Sequence, residues 1–311
     1  MKLTIATRGS QLALWQAHHI KDRLMELDPS VEIELKIVVT KGDKILDTPL
    51  ALIGGKGLFT KEIEDTMLRG EAQLAVHSLK DMPTVSVEGL QLTAITKRQD
   101  VRDAMLSEKY ASLEDLPKGA SVGTTSLRRR MQLIKMRPDL EVKELRGNVD
   151  TRIRKMKDGE YDAIILAAAG INRLELRDSV KYVYEISVDD MIPSMGQGAL
   201  GIETVQDEKV IALVSRLNDE ASMVECQIER SFVKMLEGGC SVPIGVSAKL
   251  LDDDTILTKA VIGMPDGSEE MRESIVSKKE GYKELGVTLA ERMINRGAKE
   301  LLTRAEKIAF K

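Results

Sequence analysis

Strand-like and helix-like segments alternate along the first half of the chain, and this alternation restricts the fold more than any other feature. The first series predicts strands at 3–7, 31–39 and 73–76, a helix capped by Ser10 that runs to Asp28, and a helix at 60–68. The second series predicts strands at 121–123, 141–145 and 163–166 with helices at 126–136 and 149–157. Strands that alternate with helices form parallel or mixed sheets, whose ligands bind beyond the carboxyl ends of the strands. We therefore expect an α/β protein with two such units and a cleft between two lobes.

The last third of the chain has a different pattern. It predicts a helix at 220–236, strands at 244–250, 255–263 and 274–277, and a closing helix at 285–296. This pattern is typical of a small α+β domain. A chain of 311 residues is also too long for one ordinary core. The stretch 196–198, Gly-Gln-Gly, is the best candidate for a hinge, although glycine there is equally compatible with a simple turn.

Composition excludes several classes of protein. No apolar run approaches the roughly 20 residues that span a bilayer, and the amino terminus becomes polar before a signal-peptide core forms. The two cysteines, Cys226 and Cys240, fit a reducing compartment, and three histidines without paired cysteines argue against a zinc site. A net charge of -4 argues against general nucleic-acid binding. We expect a cytoplasmic protein that holds no metal and binds neither membrane nor nucleic acid.

Cys240 lies in a glycine turn, Leu236-Glu237-Gly238-Gly239-Cys240-Ser241-Val242-Pro243, between a helical and a strand-like pattern. Two glycines permit backbone conformations that a side chain would forbid, and Pro243 stops the preceding helix. An open corner of this kind suits an attachment point or a nucleophile. The alternative is a small apolar residue at a turn, which is how free cysteines commonly behave.

Cationic side chains recur on the carboxyl side of the predicted strands. The set comprises Arg8, Lys80, Arg128, Arg129, Arg146, Arg152 and Arg173. Guanidinium groups beside hydroxyls and helix amino termini bind carboxylates or phosphates. The alternative is that they are solvated helix arginines, which is how we interpret Arg130, Arg137 and Arg154. Because the chain is acidic overall, the pattern favours a small polyanion over a long nucleic acid.

Asp81 is the one carboxylate in this set. It follows Lys80 at the end of a predicted strand, and nearby positive charge favours its ionised form. It can balance a cationic intermediate or accept N–H groups, or it can be a local ion pair or turn cap. The stretch Gly54-Gly55-Lys56-Gly57 lacks the spacing of a phosphate-binding loop and is better interpreted as a mobile cover.

These residues stand in motifs that occur in one order along nearly the whole chain. The motifs are Ala6-Thr7-Arg8-Gly9-Ser10 with Leu12-Ala13-Leu14-Trp15-Gln16, Gly54-Gly55-Lys56-Gly57-Leu58-Phe59, Val76-His77-Ser78-Leu79-Lys80-Asp81-Met82-Pro83, Gly123-Thr124-Thr125-Ser126-Leu127-Arg128-Arg129, Leu145-Arg146-Gly147-Asn148-Val149, Gly196-Gln197-Gly198-Ala199 and Leu236-Glu237-Gly238-Gly239-Cys240. In this ordered series the chain resembles the hydroxymethylbilane synthase family, also called porphobilinogen deaminase.

The resemblance implies an enzyme that joins four porphobilinogen molecules head to tail, releases ammonia at each addition and then hydrolyses off linear hydroxymethylbilane. It implies that Cys240 carries a dipyrromethane cofactor through a thioether, and that Asp81 is catalytic because it stabilises an electron-poor azafulvene and engages pyrrole N–H groups. The residues implied to bind the cofactor, besides Cys240 and Asp81, are Ser78, Lys80, Thr125, Ser126, Arg128, Arg129 and Arg146. Those implied to bind substrate are Arg8, Ser10, Gln16, Lys56, Phe59, Arg152 and Arg173.

The resemblance also implies a fold: two lobes with mixed sheets, similar to periplasmic binding proteins, and a small α+β C-terminal domain that carries Cys240. We expect domain 1 at 1–96 with 197–216, domain 2 at 97–196 and domain 3 at 217–311, in a monomer. Two positions depart from the family pattern. Leu52 stands where some relatives carry lysine, and Thr125 replaces a frequent serine but keeps a hydroxyl.

A second hypothesis comes from another class of protein. Two-lobed folds of this kind also serve as small-anion binding proteins without catalysis, and fold alone does not separate the two. A secreted receptor is expected to carry a signal peptide, and a regulator a DNA-binding helical module; neither is evident in this sequence. A receptor would also not require the thiol turn at Cys240.

Overall fold

A computed structural model describes residues 1–44, 57–237, 242–252 and 254–309 of the chain. Cys240 and Lys56, which by the family resemblance are expected to bind the cofactor and the substrate, lie outside the described residues, as does Leu52.

The strands, in chain order, are β1 (Lys2–Thr7), β2 (Glu32–Ile37), β3 (Leu74–Ser78), β4 (Leu90–Ile95), β5 (Asp103–Ser107), β6 (Ser121–Gly123), β7 (Glu141–Lys143), β8 (Ala163–Ala167), β9 (Tyr182–Glu185), β10 (Leu200–Val205), β11 (Ile244–Leu250), β12 (Thr255–Gly263) and β13 (Glu270–Lys278). The α-helices are α1 (Gln11–Leu27), α2 (Lys41–Lys44), α3 (Lys61–Leu68), α4 (Leu127–Met136), α5 (Val149–Lys157), α6 (Ala168–Arg173), α7 (Glu208–Val214), α8 (Glu220–Met235), α9 (Tyr282–Ile294) and α10 (Ala298–Ala309).

The described residues divide into two compact units. The first comprises residues 1–44, 57–99 and 198–224, and the second comprises 100–197, 225–237, 242–252 and 254–309. Between Gln99 and Asp100 the chain leaves the first unit, and between Gln197 and Gly198 it returns. The division into three domains stays a prediction.

The first unit contains a five-stranded sheet in the order β2-β1-β3-β10-β4. β1 is parallel to both β2 and β3, whereas β10 is antiparallel to β3 and β4. Helix α1 begins where the Ser10 hydroxyl accepts a hydrogen bond from the Ala13 N–H, and it ends at Asp28. Its buried residues include Ile20 and Leu24, which join the core of this sheet. Full burial of each such side chain contributes roughly 1.5–3 kcal/mol.

The second unit contains a sheet with the same arrangement, in the order β7-β6-β8-β5-β9. β6 is parallel to β7 and β8, and β5 is antiparallel to β8 and β9. In each sheet the fourth strand, β10 or β5, is antiparallel to its neighbours. It is also the first strand after the chain has crossed from the other unit. This mixed pairing confirms the predicted α/β class.

The small α+β region is also confirmed. β11, β12 and β13 form an antiparallel sheet, and its core includes Phe232 of α8, Leu289 of α9 and Leu301 of α10. One expectation was wrong: the predicted closing helix at 285–296 is not the last element. Helix α9 ends at Ile294, the chain turns through Gly297 at a φ of 91°, and α10 follows. Gly297, just after the predicted helix, therefore forms a turn between two helices.

Candidate active site

Four predicted site residues of the first unit lie at the carboxyl ends of β1 and β3: Arg8, Ser78, Lys80 and Asp81. These two strands are neighbours and parallel, so their carboxyl ends share one edge of the sheet. Arg8 follows β1, and a short 3₁₀ turn over Leu79–Asp81 follows β3. The turn packs closely on β10, because a Cβ on Gly201 would lie 2.6 Å from the Met82 sulfur. The sequence-based placement of Arg8, Lys80 and Asp81 at strand ends is therefore correct.

Arg8 is held from two sides. Its Nε lies 3.1 Å from Oδ1 and 3.2 Å from Oδ2 of Asp43, and its Cζ lies 4.3 Å from the centre of the Phe59 ring. Asp43 also accepts hydrogen bonds from the Thr40 hydroxyl at 2.8 Å and the Thr40 N–H at 3.1 Å. Burial works to raise the pKa of Asp43, but the hydrogen bonds from Arg8 and Thr40 outweigh it and the pKa is lowered. Arg8 and Phe59, both predicted to bind substrate, are thus brought together.

Two further side chains, those of Gln16 and Ser78, are hydrogen-bonded at the end of β3. Gln16, on α1, is 3% exposed, and its Nε2 donates to the Ser78 Oγ at 2.8 Å. This bond fixes the end of β3 immediately before the turn that carries Lys80 and Asp81. Asp81 itself is exposed at the end of the turn. Ser10 caps α1, so its hydroxyl already accepts a backbone hydrogen bond.

The predicted site residues of the second unit follow β6, β7 and β8, whose parallel pairing also gathers their carboxyl ends at one edge. After β6, the Thr125 hydroxyl donates to the Leu145 carbonyl at 3.0 Å. Ser126 then caps α4 by accepting from the Arg129 N–H at 3.4 Å. This cap sets the direction of the first turn of α4, which carries Arg128 and Arg129.

Arg128 and Arg129 are both buried and share the carboxylate of Asp103. Arg128 Nη1 lies 2.7 Å from Asp103 Oδ2, and Arg129 Nη2 lies 2.7 Å from Oδ1. Both arginines also donate hydrogen bonds to backbone carbonyls: Arg128 Nη1 to the Ile192 carbonyl at 2.8 Å and Arg129 Nη1 to the Ile165 carbonyl at 3.0 Å. Burial lowers the pKa of Arg128, which Asp103 opposes. Two guanidinium cations and one carboxylate leave this cluster with one net positive charge.

Three more predicted arginines belong to the second unit. Arg146 follows β7 and is half-buried, and Arg152 Nε donates to the Gly147 carbonyl at 2.7 Å. Arg173 closes α6, after β8, and is 6% exposed. Burial lowers its pKa below the ordinary arginine value to about 10, so it remains protonated at neutral pH.

The structure describes the residues on either side of the segment 238–241, which contains Cys240. Glu237 has a φ of 56°, in the left-handed region that glycine favours, so the chain turns sharply before Gly238. Beyond residue 241, β11 packs against the segment that follows Met191: the Val246 N–H donates to the Pro193 carbonyl at 2.9 Å. The buried carboxylate of Glu229 joins the same elements, since it accepts from the Gly196 N–H at 2.7 Å and the Ala248 N–H at 2.9 Å.

Two acidic residues at these sites were not found from sequence. Asp43 and Asp103 each bind an arginine that is distant in the chain, Arg8 in one case and Arg129 in the other. The only sequence signal was that a buried arginine needs a carboxylate partner, which does not say which of many acidic residues supplies it. Among the described residues, no three His, Cys, Asp or Glu side chains are grouped as metal ligands, and no helix is long and apolar enough to cross a membrane.

Comparison with known proteins gives concordant matches. Residues 3–212 match the family model described as porphobilinogen deaminase, dipyromethane cofactor binding domain, and residues 223–295 match the porphobilinogen deaminase C-terminal domain. The chain is 64% identical over 311 residues to a porphobilinogen deaminase of Nitratiruptor sp., covering 100% of this chain and 99% of that protein. It is 63% identical over 305 residues to a porphobilinogen deaminase of Sulfurimonas denitrificans, covering 98% and 97%. Among solved structures it is similar to a TRAP periplasmic solute binding protein from Desulfovibrio salexigens, at a TM-score of 0.43 and 10% identity, covering 70% and 72%.

Proposed function

The chain belongs to the porphobilinogen deaminase family, and on this premise we propose that it is a transferase that makes linear hydroxymethylbilane from four porphobilinogen molecules. We further propose that it works as a monomer in the cytoplasm, with porphobilinogen as its small-molecule substrate. The observation that carries the proposal is the recurrence of guanidinium groups at the carboxyl ends of strands in both units. Each pyrrole of the substrate brings an acetate and a propionate, which these groups are suited to bind.

The reaction balances without a redox partner. In each addition a carbon–carbon bond forms between the aminomethyl carbon of porphobilinogen and the free pyrrole α-carbon of the growing chain. The carbon–nitrogen bond to the amine breaks, and the proton lost from the α-carbon leaves with the amine as ammonia. After four additions, one water molecule cleaves the product from the protein, adding hydroxyl to the terminal methylene and hydrogen to the carbon that remains.

The residues of the second unit fit a dipyrromethane group. Its carboxylates suit the Arg128–Arg129 cluster, whose two guanidinium cations pair with one carboxylate, Asp103, among the described residues. Thr125 and Ser126 precede these arginines, and Arg146 follows the neighbouring strand. When bound through a thioether to Cys240, the group supplies the α-carbon at which the first porphobilinogen is added. Cys240 itself lies outside the described residues.

In the first unit, Asp81 is the proposed catalytic residue. It is exposed at the end of the turn after β3, beside Lys80, so its carboxylate can reach a ligand while Gln16 and Ser78 hold the strand end in place. Loss of ammonia leaves positive charge on the pyrrole nitrogen, and a fixed carboxylate stabilises that charge and accepts the pyrrole N–H. Arg8, oriented by Asp43 and Phe59, is suited to a substrate carboxylate. We propose that Ser10, Lys56, Arg152 and Arg173 complete the substrate contacts.

The proposed function predicts a fixed stoichiometry. Purified protein incubated with porphobilinogen is expected to release four ammonia molecules for each tetrapyrrole formed, and the tetrapyrrole can be quantified by absorbance after oxidation to a porphyrin. Saturable binding of porphobilinogen without ammonia release would contradict the proposal and support a two-lobed binding protein instead. The variant Asp81→Asn is a suitable control, because it keeps the shape of the side chain and removes its charge.

A further inference from the structure

Asp103 binds its two arginines in different ways. Toward Arg129 it accepts from both Nε, at 2.9 Å, and Nη2, at 2.7 Å, with the same oxygen, Oδ1. Nε and Nη2 form the side-on edge of a guanidinium, the edge that binds a carboxylate through two parallel hydrogen bonds. The remaining nitrogen of Arg129, Nη1, donates to the Ile165 carbonyl at 3.0 Å. All three nitrogens of Arg129 are therefore committed to the fold.

Arg128 makes polar contacts with the described part of the protein through one guanidinium nitrogen, Nη1. Its Nη1 serves both Asp103 Oδ2, at 2.7 Å, and the Ile192 carbonyl, at 2.8 Å. Its Nε and Nη2 donate to no other residue in the part of the chain that the structure describes. The side-on edge of Arg128 is thus the one that a ligand carboxylate can take, although the two arginines are adjacent in sequence.

The carboxylate of Asp103 is itself fixed. It is fully buried at the first position of β5, and Gln197 Nε2 donates to its Oδ1 at 3.0 Å and to the Val101 carbonyl at 2.8 Å. Gln197 belongs to the Gly-Gln-Gly stretch, where the chain returns to the first unit. Val101 and Asp103 lie just after the point where the chain leaves that unit. The hydrogen bonds of Gln197 therefore join these two segments. These hydrogen bonds hold the Asp103 carboxylate in place beside Arg129.

The charges of Arg128, Arg129 and Asp103 favour binding of a ligand carboxylate. Arg128 and Arg129 are 4% and 6% exposed and Asp103 is 0% exposed, so the cluster holds one net positive charge away from water. Buried charge without compensation is costly, and one carboxylate from a ligand would neutralise it.

We propose that Asp103 is a positioning residue: it commits Arg129 to the fold and leaves the side-on edge of Arg128 to bind one carboxylate of the dipyrromethane. The inference rests on the proposed function and assigns different roles to two arginines that the family resemblance treats alike. Arg128 is then the contact residue, and Arg129 acts through Asp103.

Charge-compensated double variants test the proposal. The readout is the fraction of purified protein that carries the dipyrromethane mass. Asp103→Asn leaves a second buried positive charge and frees the edge of Arg129, so loading is expected to fall by roughly tenfold or more. The double variant Asp103→Asn/Arg129→Gln restores one net positive charge and keeps Arg128, so it is expected to recover at least about half of the wild-type loading. The double variant Asp103→Asn/Arg128→Gln has the same net charge but lacks the contact residue, and it is expected to stay at the level of the single variant.

Because the two double variants carry the same net charge, a difference in their loading depends on which arginine remains and not on charge alone. Equal loading of the two, or recovery only when Arg128 is replaced, would overturn the proposal. Wild-type loading in the single Asp103→Asn variant would overturn it as well. Asp100→Asn is the matched control: Asp100 pairs with Arg102 at 2.7 Å but is partly exposed, and loading is expected to match the wild type.

A second pair of variants keeps the test decisive if loss of Asp103 prevents folding. Lysine preserves the charge but has no side-on edge. Arg128→Lys is expected to lower loading by about tenfold with a small change in melting temperature, and Arg129→Lys to lower the melting temperature more and loading by less than about threefold. The reverse order would overturn the proposal. If wild-type protein carries no adduct, the proposed function fails; if it does and these orders are reversed, only the role given to Asp103 fails.

Discussion

Asp43 fixes the guanidinium of Arg8, with Nε of the arginine 3.1 Å from Oδ1 of the carboxylate. The pair lies at the carboxyl end of β1 and is partly exposed, at 22% for Arg8 and 25% for Asp43. A flexible arginine loses rotamer freedom when it binds a ligand, and an internal partner that already holds it reduces this entropic cost. We therefore expect the loss of the Asp43 carboxylate to lower catalytic activity more than it lowers the stability of the fold.

Replacement of Asp43 by asparagine is expected to lower kcat/KM for porphobilinogen. Hydrogen bonds to charged groups contribute about 1.5–3 kcal/mol, so we expect a fall of roughly tenfold. The matched control is Asp139→Asn, because the Arg137–Asp139 pair has nearly the same exposure, 22% and 28%, and lies away from the strand ends that carry the site. Steady-state kinetics of both variants check the prediction. An equal effect in the two would show that Asp43 only stabilises the fold.

Glu64 gives a pH-dependent prediction. Burial raises its pKa above the ordinary 4.5 and Glu203 adds to the effect, while Thr60 and His77 oppose it. A carboxyl with a raised pKa destabilises the fold when it is ionised, above its folded-state pKa, and this cost disappears as the pH falls through that value. Glu64→Gln is therefore expected to melt a few degrees higher than the wild type at pH 8, with a smaller difference at pH 5. Melting curves from pH 5 to pH 8 test this; a difference that grows toward low pH would contradict it.

Asp81 is expected to matter more for turnover than for attachment of the cofactor. Its exposed carboxylate lies on the turn after β3, whereas the arginine cluster proposed to hold the cofactor belongs to the second unit. In Asp81→Ala we expect the adduct to be present and the turnover to fall by at least about a hundredfold. Intact mass and ammonia release, measured on the same preparation, separate the two effects. Full steady-state turnover in this variant would disprove the role given to Asp81.

Local signals in the sequence predicted much of the fold, because they act within a few residues. Ser10 caps the helix that it was expected to cap, helix α4 begins within one residue of its predicted start at Ser126, and β11 and β12 have the predicted bounds. Strands β5 and β10 were missed, because each takes an antiparallel place in a sheet after the chain has passed from the other unit. Their pairing depends on distant partners and not on local pattern.

The same distinction holds for the site. Arg8, Arg128 and Arg129 were found from their positions after strands. Their carboxylate partners Asp43 and Asp103 were not, since each pair joins residues far apart in the chain, 35 positions for Arg8 and Asp43 and 26 for Arg129 and Asp103. Sequence pattern thus located the cations, and only the fold distinguished the arginine that is committed to Asp103 from the one that can meet a ligand.

Packing of β11 near the Cys240 turn can be tested through Gly245. A Cβ at this position would lie 2.7 Å from the Ile192 carbonyl oxygen and 2.9 Å from Val261 Cγ1. Gly245→Ala is expected to lower the free energy of unfolding by roughly 1–3 kcal/mol, because a backbone atom cannot give way cheaply. In the control Gly9→Ala the nearest atom, Ile37 Cγ2, is 3.4 Å away, an ordinary contact. Denaturant unfolding of both variants checks the difference; equal stability would contradict the close packing of β11.

We propose that Cys240 is a permanent anchor for a dipyrromethane and not a free nucleophile. Intact mass spectrometry of the purified protein tests it most directly. We expect the mass to exceed that of the sequence by one dipyrromethane, and we expect Cys240→Ser to lack both the added mass and the turnover. Protein that has the unmodified sequence mass and is nevertheless active would contradict the account.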